Sequence, residues 1–240
     1  MLRHTGQRRS FQHNLRLAVL LCLNAGFINA AGFIAFSVLT TNVTGHAALL
    51  ALNISSQHPR SARMVALWLL LFLLGAFCSS LYINKVGREK SYAYSVPIVL
   101  IILILFFIAL FGYTYDHSLQ RTEYFAGSLL FAMGMQNALV SVISGSVVRT
   151  THLTGMFTDL GIDLSVSLLS HKSISVTLKR RITLRLAIIG FFLTGGILGG
   201  LLFIKIHFQA FYIPIGLLTT ALFYDYFRIK LKRAISLKRN

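Results

Sequence analysis

Thr150-Thr151-His152-Leu153-Thr154-Gly155-Met156-Phe157-Thr158-Asp159 is a polar, hydroxyl-rich interruption in a chain that is otherwise largely apolar. Its core occurs twice, because Thr40-Thr41-Asn42-Val43-Thr44-Gly45-His46 carries the same T-T-x-(V/L)-T-G pattern. Three further blocks recur around these copies in the same order. Gly26-Phe27-Ile28-Asn29-Ala30 matches Gly134-Met135-Gln136-Asn137-Ala138, and the small-residue run from Leu74 to Leu81 matches that from Thr194 to Leu201. Val96-Pro97-Ile98 matches Ile213-Pro214-Ile215. Each block alone is weak, but four in register are hard to obtain by chance and mark an internal duplication.

The surroundings of the duplicated motif belong in a bilayer. Of 240 residues 55% are hydrophobic and only 12% charged, with mean hydropathy +0.71, so polar surface is too scarce to cover a soluble globule. A span needs about 20 apolar residues, and six runs qualify: 15–39, 64–84, 92–113, 125–146, 186–206 and 211–227. The formal charge of +17 sits in tails and connections, where it fixes orientation. Nucleic-acid binding is not expected, since it would need a solvated basic face. Cys22 and Cys78 fall within spans and form no C-x-x-C pair, so neither a disulfide framework nor a metal site is expected. The arginines before the first apolar run imitate a signal peptide, but the run is too long and lacks a small-residue cleavage site, so it reads as a retained helix.

The sequence therefore predicts an all-α integral membrane protein. A cytoplasmic tail (1–14) precedes a single transmembrane domain (15–229), with repeat A over 15–113 and repeat B over 122–229, and a basic cytoplasmic tail follows (230–240). Each repeat reads as a long helix, the polar turn, a short helix, a small-residue-rich helix and a Pro-containing helix. The short helices, 44–55 and 154–169, measure roughly 18 and 24 Å at about 1.5 Å per residue, poor lengths for a crossing. The second also carries Asp159 and Asp163, which are costly at bilayer depth unless they face protein or water. If these helices do not cross, each repeat has three spans and the second repeat is inverted. Both termini then lie in the cytoplasm, and of the 23 Lys and Arg only Arg60, Arg63, Arg121 and Lys205 lie outside. A parallel eight-span arrangement gives nearly the same charge bias, so length and the two aspartates decide for six.

Thr44-Gly45 and Thr154-Gly155 resemble helix starts with Thr as the N-cap. A helix starting inside the membrane points free N–H groups and its positive dipole end at a polar solute or anion. The expected binding residues are Thr41, Thr44, Gly45, Thr151, Thr154 and Gly155, with the mid-helix amides Asn29, Gln136 and Asn137 completing the site. The alternative is that these are ordinary capped turns at the interface. Asp159 and Asp163 share a helix face and are either an ion-coupling pair or an Arg-paired face; their first-repeat equivalents, Leu49 and Asn53, are not acidic. His46 and His152 lack further ligands at recognisable spacing, so no metal is expected, and no cofactor. Gly195, Gly196, Gly199 and Gly200 form overlapping G-x-x-x-G patterns, which suit packing between the halves or a homodimer contact. With six acidic residues and no nucleophile–base order or phosphate loop, catalysis is not expected.

The pattern G-F-I-N-A with T-T-N-V-T-G-H, then G-M-Q-N-A with T-T-H-L-T-G-M-F-T-D-L-G, resembles the YoaK-type family of bacterial inner-membrane proteins, a domain of unknown function, over nearly the whole chain. The family more often has an acidic residue where Asn29 stands and an amide where His46 stands. The resemblance implies a bacterial multi-pass membrane protein and supplies no activity. The residues themselves lead to a small-solute or anion permease with its site between the two turns; the alternative is a non-transporting scaffold or partner-binding subunit.

Overall fold

The computed structural model describes residues 10–88, 90–170 and 174–223. The tails 1–9 and 230–240, the end of the predicted sixth run to Phe227, and Lys172 lie outside the described residues.

The described residues are helical, with no strand among them. The helices are α1 (Phe11–Phe36), α2 (Val43–Ser55), α3 (Pro59–Val86), α4 (Ser95–Phe111), α5 (Leu119–Ser144), α6 (Leu153–Leu169) and α7 (Val176–Ile206). A further helix, α8, covers 212–223. Each begins or ends where local chemistry dictates. Ser118 and Ser175 accept the N–H of Arg121 and Leu178 at 3.3 and 3.2 Å to start α5 and α7, and Pro59 occupies the first turn of α3. Five stretches are long and apolar enough to cross a membrane. The last of them, Val176–Phe223, is 48 residues long and breaks at His207, where φ 49° and ψ −134° end α7 before a short 3₁₀ turn leads into α8. Large apolar side chains such as Leu73, Phe77, Leu103, Ile197 and Ile204 are exposed, which in a membrane-embedded protein is the lipid-facing surface.

Long-range pairing follows the glycines. The principal contact of α1 is with α7, and that of α3 is with α5. A Cβ on Gly26 would fall on the backbone carbonyl of Phe192, and one on Gly195 on that of Leu23. The same clash recurs between Gly134 and Phe72, and between Gly75 and Phe131. Leu23 opposes Gly195 and Phe27 opposes Gly199, so α1 and α7 run parallel. Leu71 opposes Gly127 and Phe131 opposes Gly75, so α3 and α5 do too. The Gly195/Gly199 ridge is thus occupied by α1 of the same chain, while Gly196 and Gly200 are half-buried beside it.

Between α1 and α5 the chains run antiparallel. Asn24 Nδ2 donates to Gln136 Oε1 at 2.7 Å, and Phe36 stacks on Phe125 at 5.6 Å between ring centroids. Buried interhelical hydrogen bonds in membrane proteins contribute only about 0.6 kcal/mol each, so this pair sets register while backbone-to-backbone packing at the glycines supplies most of the cohesion. The packing argument predicts that Gly26→Ala and Gly134→Ala, each adding one methyl to a filled seam, lose about 2 kcal/mol or more. Gly190→Ala, where nothing lies within 4 Å, should be neutral; thermal melts of the purified protein in detergent compare the three.

Candidate functional site

Both polar turns fold back into the protein. α1 ends at Ser37 in the left-handed region (φ 57°) and α5 at Gly145 (φ 63°), a conformation that reverses the chain at a helix end. On return, Thr40 lies against Gly32 and the N–H of Thr41 donates to Asn29 Oδ1 at 3.1 Å. In the second turn the Ser144 hydroxyl accepts from Val148 N–H at 3.0 Å and donates to the Val148 carbonyl at 3.2 Å. The turns therefore find polar partners within the protein.

The caps differ from the sequence expectation. Helix α2 begins at Val43 with Asn42 as its N-cap, whose Oδ1 accepts from Gly45 N–H at 2.9 Å; α6 begins at Leu153 after His152. Thr44 and Thr154 sit one residue inside the first turn rather than at the cap. The glycines serve these caps, since a Cβ on Gly45 would strike the Asn42 amide and one on Gly155 the His152 ring.

One cavity of about 570 Å³ receives both turns. Of the residues singled out from sequence, Asn29, Thr41, Thr44, Asn137, Thr151 and Thr154 line it. Gln136 does not: it is fully buried between α1 and α5, bonded to Asn24 and donating to Leu21 O at 2.9 Å. Gly45 lies outside the lining, and Gly155 lines a neighbouring cavity. Phe72 and Phe192, the residues whose carbonyls abut Gly134 and Gly26, provide apolar walls. Sequence reasoning missed Arg149, Ser141 and Ser146 in the lining. Among the described residues the Oδ1 of Asn137 and the hydroxyls of Thr40 and Thr150 are buried without a hydrogen-bond partner, leaving hydrogen-bonding capacity around the turns for water or solute.

The family model described as "Protein of unknown function (DUF1275)" matches residues 17–224. The chain belongs to this family. No curated protein and no solved structure matches it. The matched segment contains both turns, in agreement with the YoaK-type resemblance.

Beside the central cavity of this DUF1275 chain lies a second, of about 460 Å³, which shares Ser146, Arg149 and His152 with it and adds Asp159, Arg181 and Arg185. The two aspartates are Arg-paired. Asp163, with its side chain 4% exposed, bonds Arg185 Nη1 and lies 3.0 Å from Arg181 Nη2. Arg185 also reaches Asp159, at 3.2 Å to the carboxylate and 2.8 Å to the backbone carbonyl. This network ties α6 to α7. In the first half α2 is held to α3 by different means: buried His46 donates from Nε2 to Leu39 O at 2.7 Å and meets the Trp68 ring edge-on at 5.4 Å. His46 and His152 therefore serve different places, one against Trp68 and the other at the mouth joining the cavities. Removing one side of a buried charge pair commonly costs about 3 kcal/mol or more. Asp163→Asn should accordingly lower thermal stability far more than Asp159→Asn, whose side chain is 46% exposed; equal melts would show that the buried pair does not hold α6.

Proposed function

We propose that the chain is a permease for a small polar solute or anion, crossing a bacterial inner membrane six times as two inverted three-helix repeats with both termini in the cytoplasm. The observation that carries this reading is that the two T-T-x-x-T-G turns, one from each half of the chain, line a single cavity. Inverted repeats with interrupted helices meeting at a central site are a recurring transporter design.

Several features support the inverted arrangement. The first helices of the two repeats, α1 and α5, are antiparallel, as their Asn24–Gln136 and Phe36–Phe125 contacts require. Each also packs against the third helix of the other repeat through matching glycine contacts: Gly26 with Phe192 and Gly134 with Phe72. With the break at His207 counted as a reversal, α1, α3, α4, α5, α7 and α8 make six crossings. Helices α2 and α6, at 13 and 17 residues, begin beside the cavity and return to the side from which their turns entered. The cationic segments then fall mostly in the cytoplasm.

Topology is open to a direct check. In a Cys78→Ser background, Ser56→Cys should react with an impermeant maleimide from outside the cell and Lys90→Cys only after the membrane is opened; the reverse pattern would exclude this orientation. The site is tested in proteoliposomes by flux of a panel of small anions and neutral polar solutes. Thr151→Val with Thr154→Val, which removes two cavity hydroxyls at nearly constant shape, should slow uptake tenfold or more without changing the melt. Unchanged flux, or none for any solute, would favour a scaffold whose turns are purely structural.

A further inference from the structure

We propose that the solute is a small oxyanion of single negative charge, gripped in the central cavity by the guanidinium of Arg149 and loaded through the second cavity. This rests on the permease reading and narrows it to a chemical class.

Arg149 has no hydrogen bond or ion pair among the described residues, and it lines both cavities. No carboxylate lines the central cavity, so Arg149 is its one unbalanced charge. Arg149 is exposed at the cavity wall, free to meet a ligand from solution, and its planar fork matches two oxygens of one ligand. The threonine and serine hydroxyls around it, Thr44, Thr151, Thr154 and Ser141 among them, can donate to the same oxygens. A single fixed positive charge matches a single negative charge.

Access is equally one-sided. The second cavity presents Arg149, Arg181 and Arg185 against Asp159, while the other acid nearby, Asp163, is held between two of those arginines. That leaves a net cationic approach, which raises the local concentration of anions. The corresponding positions of the first half are Leu39 for Arg149, Leu49 for Asp159 and Val65 for Arg185. The contacts of that half are aromatic, His46 on Trp68 and Phe36 among Tyr115, Phe125 and Phe208. The charged residues that flank the cavity therefore lie on the α6 and α7 side, and none lines it on the α2 side.

The test compares thermal melts of the purified, detergent-solubilised full chain with sodium acetate, sodium nitrate, sodium chloride and the neutral isostere acetamide, at constant ionic strength. Acetate or nitrate should raise the melting temperature, as a ligand selective for the native state must; chloride should do less, and acetamide nothing. Arg149→Gln should weaken oxyanion binding at least tenfold and Arg149→Lys less, while the anion-free melt of Arg149→Gln matches the wild type because no protein bond is lost. The proposal is overturned if neither oxyanion shifts the melt, if acetamide or chloride works as well as acetate, or if Arg149→Gln keeps the shift. Flux in proteoliposomes separates the two readings. Oxyanion binding without flux removes the permease and keeps the site, whereas acetamide flux that Arg149→Gln leaves unchanged keeps the permease and removes the anion.

Discussion

Backbone that leaves the helical ladder must find hydrogen-bond partners elsewhere, and this structure meets that demand twice. Residues 37–42 and 145–152 leave their helices and turn inward. Beside them pack α1 on α7 and α3 on α5. Glycine makes these contacts tight. Where Gly26, Gly75, Gly134 and Gly195 meet a carbonyl of the facing helix, there is no side chain to hold the backbones apart, and dispersion acts over the whole seam. The polar bonds at the turns, Asn29 to Thr41 and Ser144 to Val148, are few.

On this shared frame the two halves carry different chemistry. Helix α6 is bound to α7 by Asp159, Asp163, Arg181 and Arg185; α2 is bound to α3 by an imidazole on an indole. Charged contacts tolerate water and can exchange partners. An aromatic contact offers no such exchange. The two halves share a helix pattern and differ in the residues that pin their short helices.

Much of this was legible in the sequence because bilayer thickness imposes a length that apolar runs reveal directly; 15–39 and 64–84 fall inside or almost inside α1 and α3. The repeated motif likewise located six of the nine proposed cavity residues. The errors were local or non-local in recognisable ways. Asn42 competes better for the cap than Thr44 because its longer side chain reaches the Gly45 N–H, a choice that spacing alone does not reveal. Gln136 was misplaced because its partner, Asn24, lies on the other repeat. Arg149 was read only as an orienting cation, since charge counting treats every arginine near an apolar run alike. The partners of the aspartates could have been found: Asp159 and Asp163 are four residues apart, and so are Arg181 and Arg185 on the next helix, a complementary spacing for two facing helices.

The exchange of partners between halves also bears on how the chain is made. Helix α1 emerges first, yet its chief partner, α7, is synthesised only after nearly the whole remaining chain. Until then its glycine face and Asn24 meet lipid or a chaperoning protein, and the first half has no closed core of its own. The main packing of each half is completed by the other. Membrane insertion and tertiary assembly are therefore separate stages for this chain, and a ribosome that stalls before α7 leaves an inserted but unassembled protein for quality control to remove.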